Sequence, residues 1–417
     1  MSFRIGLTGL NAAQQDLEIV SNNIANSNTI GFKGSRAEFS DVYASSVGGG
    51  DGQVAGVEVA TISQQFSQGN ITSTDNALDM AISGQGFFVV NDNGQMNYTR
   101  AGYFQLDANN YVVNNQGLKL QGYSADGSGN VLVGTQTDLK INQTSMPAQA
   151  TSNVVALANL DARLDVIPVR LTDPTDPASA PLPIDPTDQS TFSSTMAFNV
   201  NDSLGGSHTV SMYFEKTGDN AWDIEFYFDG DGPELSQSVT FNNDGTLATP
   251  NPGTLTMGII AGDNRLSGAN GMSFDIDISK FTQLGTNSAV NQVTQNGFPP
   301  GSLSSIQITD DGVLEALYSN GQTQVQGQVV LADFANDSGL IPMGDSLWQS
   351  SIASGDPALG IPGAGVMGSL ESGALEQSNV DISLQLVRLI EAQSNYQANA
   401  KTIETSNNLT QALMNII

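Results

Sequence analysis

The sequence of 417 residues contains no cysteine and a single histidine, His208. Disulfides, thiol nucleophiles and Cys-based zinc sites are therefore excluded. Any Ser-His-Asp triad would depend on one ring. Charged residues make up only 13%, about half the usual share. Basic residues are the scarcest, thirteen against forty-two acidic, for a net charge of −29. Backbone phosphates require clustered Lys and Arg, so nucleic acid is excluded as a partner. An anionic membrane surface is disfavoured for the same reason. No run approaches the roughly 18 apolar residues that a transmembrane helix needs, so no membrane insertion is expected. The N-terminal stretch lacks an apolar core followed by a small-residue cleavage site, which points any export toward a route without a cleaved signal. A cysteine-free chain suits a protein exported unfolded.

Proline is absent from both ends. All fifteen prolines lie between Pro147 and Pro362, and six crowd between Pro168 and Pro186. That run blocks helix and interior strand alike, so a loop or disordered excursion is expected there. The proline-free ends carry helical periodicity. Phe3, Leu7, Leu10, Leu17 and Ile24 recur at three- and four-residue steps. This helix is expected to fade at Asn26–Gly31, where Asn and Gly suit a C-cap. Ile382, Leu386, Leu389, Tyr396, Ile403 and Met414 keep the same rhythm, and Ser378 with Asp381 reads as a capping box. A helix from Asn379 to Ile417 would be about 58 Å long, natural for a coiled coil or bundle. Residues 1–30 and 377–417 each net only −1. A narrow apolar stripe with few charges needs a partner terminus, neighbouring subunits or both. Its placement at both chain ends favours a polymer interface over an intramolecular hairpin.

What lies between is β in pattern. Residues 86–123 are short apolar runs broken by NDNG, DANN and NNQG, which are hairpin turns. Residues 306–334 repeat the style. The even positions of Trp222–Phe228 and of Phe274–Ile278 are apolar, and Val210, Met212 and Phe214 pair plausibly with the Trp222 run. Such alternation predicts antiparallel sheets with one wet face. The fold class expected is multidomain. Both chain ends form an α-helical, coiled-coil-like terminal domain, and one of two mainly antiparallel β domains is inserted in the other. The boundaries read as 1–30 with 377–417 for the helical domain, and 31–72 with 360–376 for a linking segment. The inner β domain takes 73–146 with 286–359, and the insert takes 147–285, with eighteen acidic and five basic residues. Val47–Gly52 and Gly355–Gly368 are Gly-rich and read as pliable links.

Several apparent motifs dissolve on inspection. Gly363–Gly368 matches GxGxxG, but Pro362 precedes it and no βαβ unit follows, so it reads as a hinge. Asp229 begins an acidic turn whose twelfth position is Thr240, where an EF-hand needs glutamate. His208 reads as a surface residue in a polar turn. No catalytic, cofactor-binding or metal-binding residue is singled out, and no cofactor is expected.

At this point a resemblance emerges. Ser21–Lys33, SNNIANSNTIGFK, is similar to the N-terminal signature of the bacterial flagellar rod and hook axial proteins. Asn379–Val387 and Ala392–Ile403 resemble their C-terminal signature. Gly84–Phe88 with Tyr98–Phe104 is similar to a β domain of the same family. The family positions carried over are Asn22, Asn23, Asn26, Gly31, Phe32, Asn379, Asp381, Asn395 and Tyr396. The chain's length, its insert and the runs Asn296–Gly301, Ser305–Val313 and Gly327–Asn336 resemble the hook branch.

This resemblance implies a non-enzymatic structural subunit that self-assembles into a helical homopolymer, the curved tube joining rod to filament, which acts as a universal joint. The implied partners are further copies, the distal rod protein, the hook cap protein, the hook-filament junction protein and the flagellar type III export apparatus. The implied location is extracellular, in the flagellum. A distal-rod-type axial protein stays open as an alternative. A carboxylate-based glycosidase and a surface adhesin are the readings from other classes.

Overall fold

The computed structural model describes residues 2–44, 53–127, 129–170, 172, 175 and 181–414. Two compact units emerge. One combines 1–143, 304–317 and 323–417, and the other combines 144–303 and 318–322. Helix α1 spans Ser2–Ala25 and helix α2 spans Ile382–Met414, and the regular elements described between them are strands and three short 3-10 turns.

In the first unit a long sheet runs in the order Leu303–Ile308, Val313–Tyr318, Thr323–Val329, Lys119–Ala125, Phe87–Asp92, Gln95–Thr99, Leu347–Gln349 and Ile341–Gly344. The Phe87–Val90 run explains its centre. Alternate side chains point to opposite faces, and here both faces are covered. Phe88 and Val90 enter a cluster with Met80, Ile82, Phe104 and Leu120. Phe87 and Val89 enter another with Tyr98, Phe334 and Trp348. A strand buried on both sides reads as a continuous apolar run. The expected turn at Asp92–Gln95 joins Phe87–Asp92 to Gln95–Thr99, with Asn93 at φ 49° and Gly94 at φ 102°.

The second unit is two sheets sharing one core. Trp222, Ile224, Phe226 and Phe228 pack with Met212 and Phe214 from one sheet against Val154, Met257, Phe274 and Ile276 from the other. The expected pairing holds, with Phe214 opposite Ile224 and Met212 opposite Phe226. The sheets are mainly antiparallel, as expected: every pair in the sheet that holds Trp222–Phe228 is antiparallel, and in the other only Asn153–Asp161 runs parallel to neighbours, Met272–Asp277 and Thr282–Leu284. The proline run is only partly among the described residues. Its Ile184 is buried, donating its N–H to Glu225 Oε2 at 2.8 Å and accepting from the Tyr227 hydroxyl. That portion is a strap across the sheet, not a free excursion.

Other expectations need correction. The second unit runs to 303 rather than 285, because Ala289–Gln295 pairs with Asn153–Asp161. The first linking segment is a β-ribbon, with Ser35–Ala44 antiparallel to Gln53–Gln64. It lies against α1, where Val57 N donates to Thr8 Oγ1 at 3.5 Å. Gly56 permits this approach, since a Cβ there would sit 2.2 Å from Thr8 Oγ1. The second linking segment is also ordered. Ser369–Ser372 pairs with Met80–Ser83, and Ala374–Glu376 pairs with Ile71–Ser73. Gly355–Gly368 is likewise tied down. Ala358–Gly360 pairs with Leu331–Asp333, and Gly368 N donates to Gln85 O at 2.8 Å. Val47–Gly52 lies outside the described residues. The capping box is shifted. Asp381 itself caps α2, its Oδ1 accepting from Ser383 N at 2.8 Å and Leu384 N at 3.2 Å.

His208 is buried rather than superficial. Its Nδ1 lies 2.7 Å from Asp229 Oδ2 and its Nε2 lies 3.2 Å from Asp202 Oδ2. Burial alone lowers its pKa, and the hydrogen bonds to Asp229 and Asp202 more than reverse this, leaving it raised. A raised folded pKa contributes stability that is fully present below the unfolded value of about 6.5 and is lost as pH rises through the folded pKa. The second unit should therefore lose thermal stability over that window. A His208→Gln variant should lack this step, and unfolding curves at successive pH values check it.

Candidate functional site

Among the described residues Asn22, Asn23, Asn26, Gly31, Phe32 and Asn379, from both chain ends, meet at one junction in the first unit, whereas Asn395 and Tyr396 lie farther along α2. Asn23, on the last turns of α1, is buried and pairs reciprocally with Ser35. Its Nδ2 donates to Ser35 O at 2.8 Å, and its Oδ1 accepts from Ser35 N at 2.9 Å. This amide ties the helix to the strand that follows. Asn26 Nδ2 donates to Asn22 O at 3.0 Å, closing the helix end. Gly31 sits at φ 68° and donates to Glu376 O at 2.8 Å. Any Cβ there would lie 2.5 Å from Ala101 N, so sterics as well as backbone conformation select glycine. Half-buried Phe32 accepts from Asn379 N at 3.4 Å. Asn379 in turn accepts from Gly34 N at 2.8 Å and donates to Gln65 O at 2.6 Å and Ser67 O at 3.1 Å.

A buried ion cluster lies at the centre. Lys33 is 1% exposed and Glu376 0%, and Lys33 Nζ meets Glu376 Oε1 at 2.7 Å. The same ammonium donates to Ser67 O at 2.8 Å. Glu376 also accepts from Gly69 N at 2.7 Å and from Arg100 Nη1 at 3.4 Å. Arg100 Nη2 donates to Gly84 O at 2.9 Å, and its guanidinium covers the Phe87 ring. Burial pushes Lys33 and Arg100 below their usual values, while Glu376 pulls both back up. Asp337 faces the two cations, and burial pushes its carboxyl up. A carboxylate shared by two cations, with further hydrogen bonds, is the geometry in which a buried ion cluster is tolerated. It joins three segments distant in sequence: the N-terminal signature, the β domain and the Ala374–Glu376 strand just before the C-terminal signature. Lys33 and Arg100 stand inside signature stretches whose pattern gives them no role, and Glu376 stands just outside one. The available signal was scarcity, since thirteen basic residues make each one inside an apolar motif notable.

The two helices run antiparallel. Gly6 lies against Ile403 and Gly9 against Asn399, while Asp16 senses Arg388 and Glu391. A Cβ on Gly9 would sit 2.6 Å from Asn399 Oδ1, so the seam on α1 is built from small residues. The apolar residues of the expected stripe mostly lie elsewhere. Phe3, Leu7, Ile382, Leu386 and Tyr396 are exposed, Leu7 by 43% and Leu386 by 46%. Leu10, Leu17, Ile24, Leu389 and Ile403 are half-buried, and the side chain of Met414 lies outside the described residues. Asp381 and Asn395 are exposed at the start and middle of α2. The apolar side chains of α2 are also not confined to one face, for Leu384, Val387 and Ile390 are exposed as well. The lone chain thus leaves large apolar groups around both helices in contact with water.

The comparisons with known proteins follow this anatomy. Residues 3–33 match the family described as flagella basal body rod protein, and 371–416 match the flagellar basal body rod FlgEFG protein C-terminal family. Residues 81–156 match the flagellar hook protein FlgE/F/G D1 domain, and 159–298 match the flagellar basal body protein FlaE D2 domain. The flagellar hook protein FlgE of Escherichia coli is 39% identical, with all of both chains covered. That of Salmonella typhimurium is also 39% identical, again over all of both chains. The crystal structure of Helicobacter pylori flagellar hook protein FlgE2 shares the fold. It has a TM-score of 0.53 and 14% identity, covering 73% of this chain and all of that one. Matched end to end by relatives of one name, this chain belongs to the flagellar hook protein FlgE family.

Proposed function

We propose that this chain is the structural subunit of a flagellar hook, a curved, flexible tube that joins rod to filament and passes motor torque through its bend. End-to-end similarity to hook proteins supports this, and one structural observation carries it. The terminal helices expose Phe3, Leu7, Leu386, Val387 and Ile390 to solvent, which a protein that functions as a lone chain has no reason to do.

In this reading the helices pack as an inner, coiled-coil-like layer. The interface is made by Phe3, Leu7, Leu10, Leu17, Ile24, Ile382, Leu386, Leu389, Tyr396, Ile403 and Met414. Contacts run head to tail, because a heterologous interface that does not close builds a filament. The β domains are nested, the second inserted in the first, and its eighteen acidic residues favour solubility and weak, salt-sensitive contacts. With the expected Gly355–Gly368 link tied into strands, bending falls to sliding between neighbouring subunits. The reading assigns the chain no catalysis. It gives it the distal rod protein, hook cap protein, hook-filament junction protein and type III export apparatus as partners, and an extracellular place in the flagellum reached without a cleaved signal.

Electron microscopy of the purified chain with and without residues 1–30 tests this. Tubes or filaments from the full chain and none from the truncated one are expected. A monomeric full chain under all assembly conditions, or unimpaired filaments after truncation, would overturn it.

A further inference from the structure

Asparagine precedes glycine four times in this chain, at Asn93, Asn270, Asn296 and Asn320. Glycine has no Cβ to shield its backbone nitrogen, which can attack the preceding side-chain amide, so the pair is chemically labile unless the fold restrains it. Three of the four are restrained. Asn93 Nδ2 donates to Asp92 Oδ1 at 3.0 Å, and Gly94 N donates to Asn91 Oδ1 at 2.7 Å. Asn296 Oδ1 accepts from Ser152 N and Asn153 N, each at 3.0 Å, and its Nδ2 donates to Ser152 Oγ at 2.8 Å. Gly297 N donates to Gln295 Oε1 at 2.5 Å. Asn320 Oδ1 accepts from Gln322 N at 3.1 Å, its Nδ2 donates to Pro299 O at 2.9 Å, and Gly321 N donates to Tyr318 O at 2.9 Å. In each pair the amide is held, and the nitrogen that would attack has its proton engaged.

Asn270 differs. It is exposed, in the segment of the second unit that connects strands Thr254–Ile259 and Met272–Asp277. Its backbone N–H donates to Ser203 Oγ at 2.9 Å. Among the described residues no hydrogen bond holds its side chain or the Gly271 N–H. Packing nonetheless selects glycine at 271, since a Cβ there would sit 2.7 Å from Ala261 N and 3.0 Å from Ile259 O. The fold thus keeps the labile neighbour in place and leaves the amide free to meet it.

We infer that Asn270 is a site of spontaneous covalent modification, deamidating through a cyclic imide to aspartate and isoaspartate with water as the co-reactant. The Gly271 nitrogen gives its proton to hydroxide and bonds to Asn270 Cγ. The Cγ–Nδ2 bond breaks, and the departing nitrogen takes a proton from water and leaves as ammonia. A water molecule then opens the ring. Attack at Cγ restores the chain as aspartate, whereas attack at the main-chain carbonyl leaves the chain running through Cγ as isoaspartate. Nothing is oxidised or reduced. Either product adds a negative charge to a neutral position. Isoaspartate also lengthens the backbone by one carbon just before Met272, whose side chain is buried and whose pairing with Ile259 begins the next strand. An aged chain therefore differs from a new one at this end of the second unit. The inference stands apart from the self-assembly proposed above.

The test incubates the full chain in warm, mildly alkaline buffer and follows all four asparagines by peptide mapping with mass spectrometry. In the folded chain Asn270 should convert about ten-fold faster than Asn93, Asn296 or Asn320, the ratio expected when one hydrogen-bonded restraint is missing. It should yield isoaspartate as well as aspartate and should quicken as pH rises. In denaturant, where those restraints are gone, the four rates should converge. Asn270→Gln, whose longer side chain closes a ring far more slowly, should keep the parent's melting curve and abolish conversion in that peptide. Equal folded-state rates at the four sites, or a faster rate at one of the other three, would overturn the inference. So would aspartate without isoaspartate, which marks direct hydrolysis of the side chain rather than attack by Gly271. A rate difference that persists in denaturant would also count against it, by placing the cause in local sequence instead of the fold.

Discussion

Leu7→Asp and Leu386→Asp are each expected to abolish assembly while leaving the subunit folded. Both side chains are exposed in the lone chain, so a carboxylate there costs the fold little. In the proposed tube each would be enclosed by neighbouring copies. An ionised carboxylate without a partner is expensive to bury. A loss of about 3 kcal/mol per contact raises the concentration needed for assembly roughly a hundred-fold. Leu10 and Leu389 are half-buried within the chain, so aspartate there would mix effects on fold and on assembly. Sedimentation with electron microscopy reads the polymer, and circular dichroism reads the fold. Normal polymers from both variants would remove the terminal helices from the interface.

Glu376→Gln should destabilise the first unit by about 3–5 kcal/mol. The carboxylate receives Lys33 Nζ at 2.7 Å, Gly69 N at 2.7 Å and Arg100 Nη1 at 3.4 Å in a site closed to water. A neutral amide leaves two buried cations with Asp337, and for Arg100 also Asp333, as the remaining nearby carboxyls. Adding Lys33→Met should recover part of the loss, because one stranded cation is then removed and partners in one network are not additive. Denaturant unfolding of the full chain measures both. Hydrogen exchange at the Gly69 amide should quicken in Glu376→Gln, since it donates to the Glu376 carboxylate. A single variant within about 0.5 kcal/mol of the parent would show that the cluster does not hold the ends together.

Local patterns were readable where their cause was local. The Trp222–Phe228 alternation and the turn at Asp92–Gln95 each depend on a few consecutive residues, and both stand in the structure. The signature stretches marked the junction, yet not its chemistry. Lys33 and Glu376 lie 343 positions apart, and nothing along the chain reports a buried pair of that separation. The extent of the second unit was missed for a similar reason. Ala289–Gln295 is exposed and weakly patterned, and its partner strand lies well over a hundred residues earlier. The ribbon of Ser35–Ala44 and Gln53–Gln64 read as linker although Val57, Val59 and Ile62 give its second strand an apolar pattern of its own. The three- and four-residue rhythm of α2 was real, but it overlooked Leu384, Val387 and Ile390 on other faces. A helix apolar on several sides suits one surrounded by copies of itself.

The central claim is that the exposed apolar residues of the two terminal helices are the contacts by which copies assemble. A helical reconstruction of the assembled polymer, at a resolution that places side chains, tests it most directly. The account predicts an inner layer of paired helices with Phe3, Leu7, Ile382 and Leu386 buried between different copies. A polymer whose subunits touch only through their β domains, with those four residues still facing solvent, would contradict it.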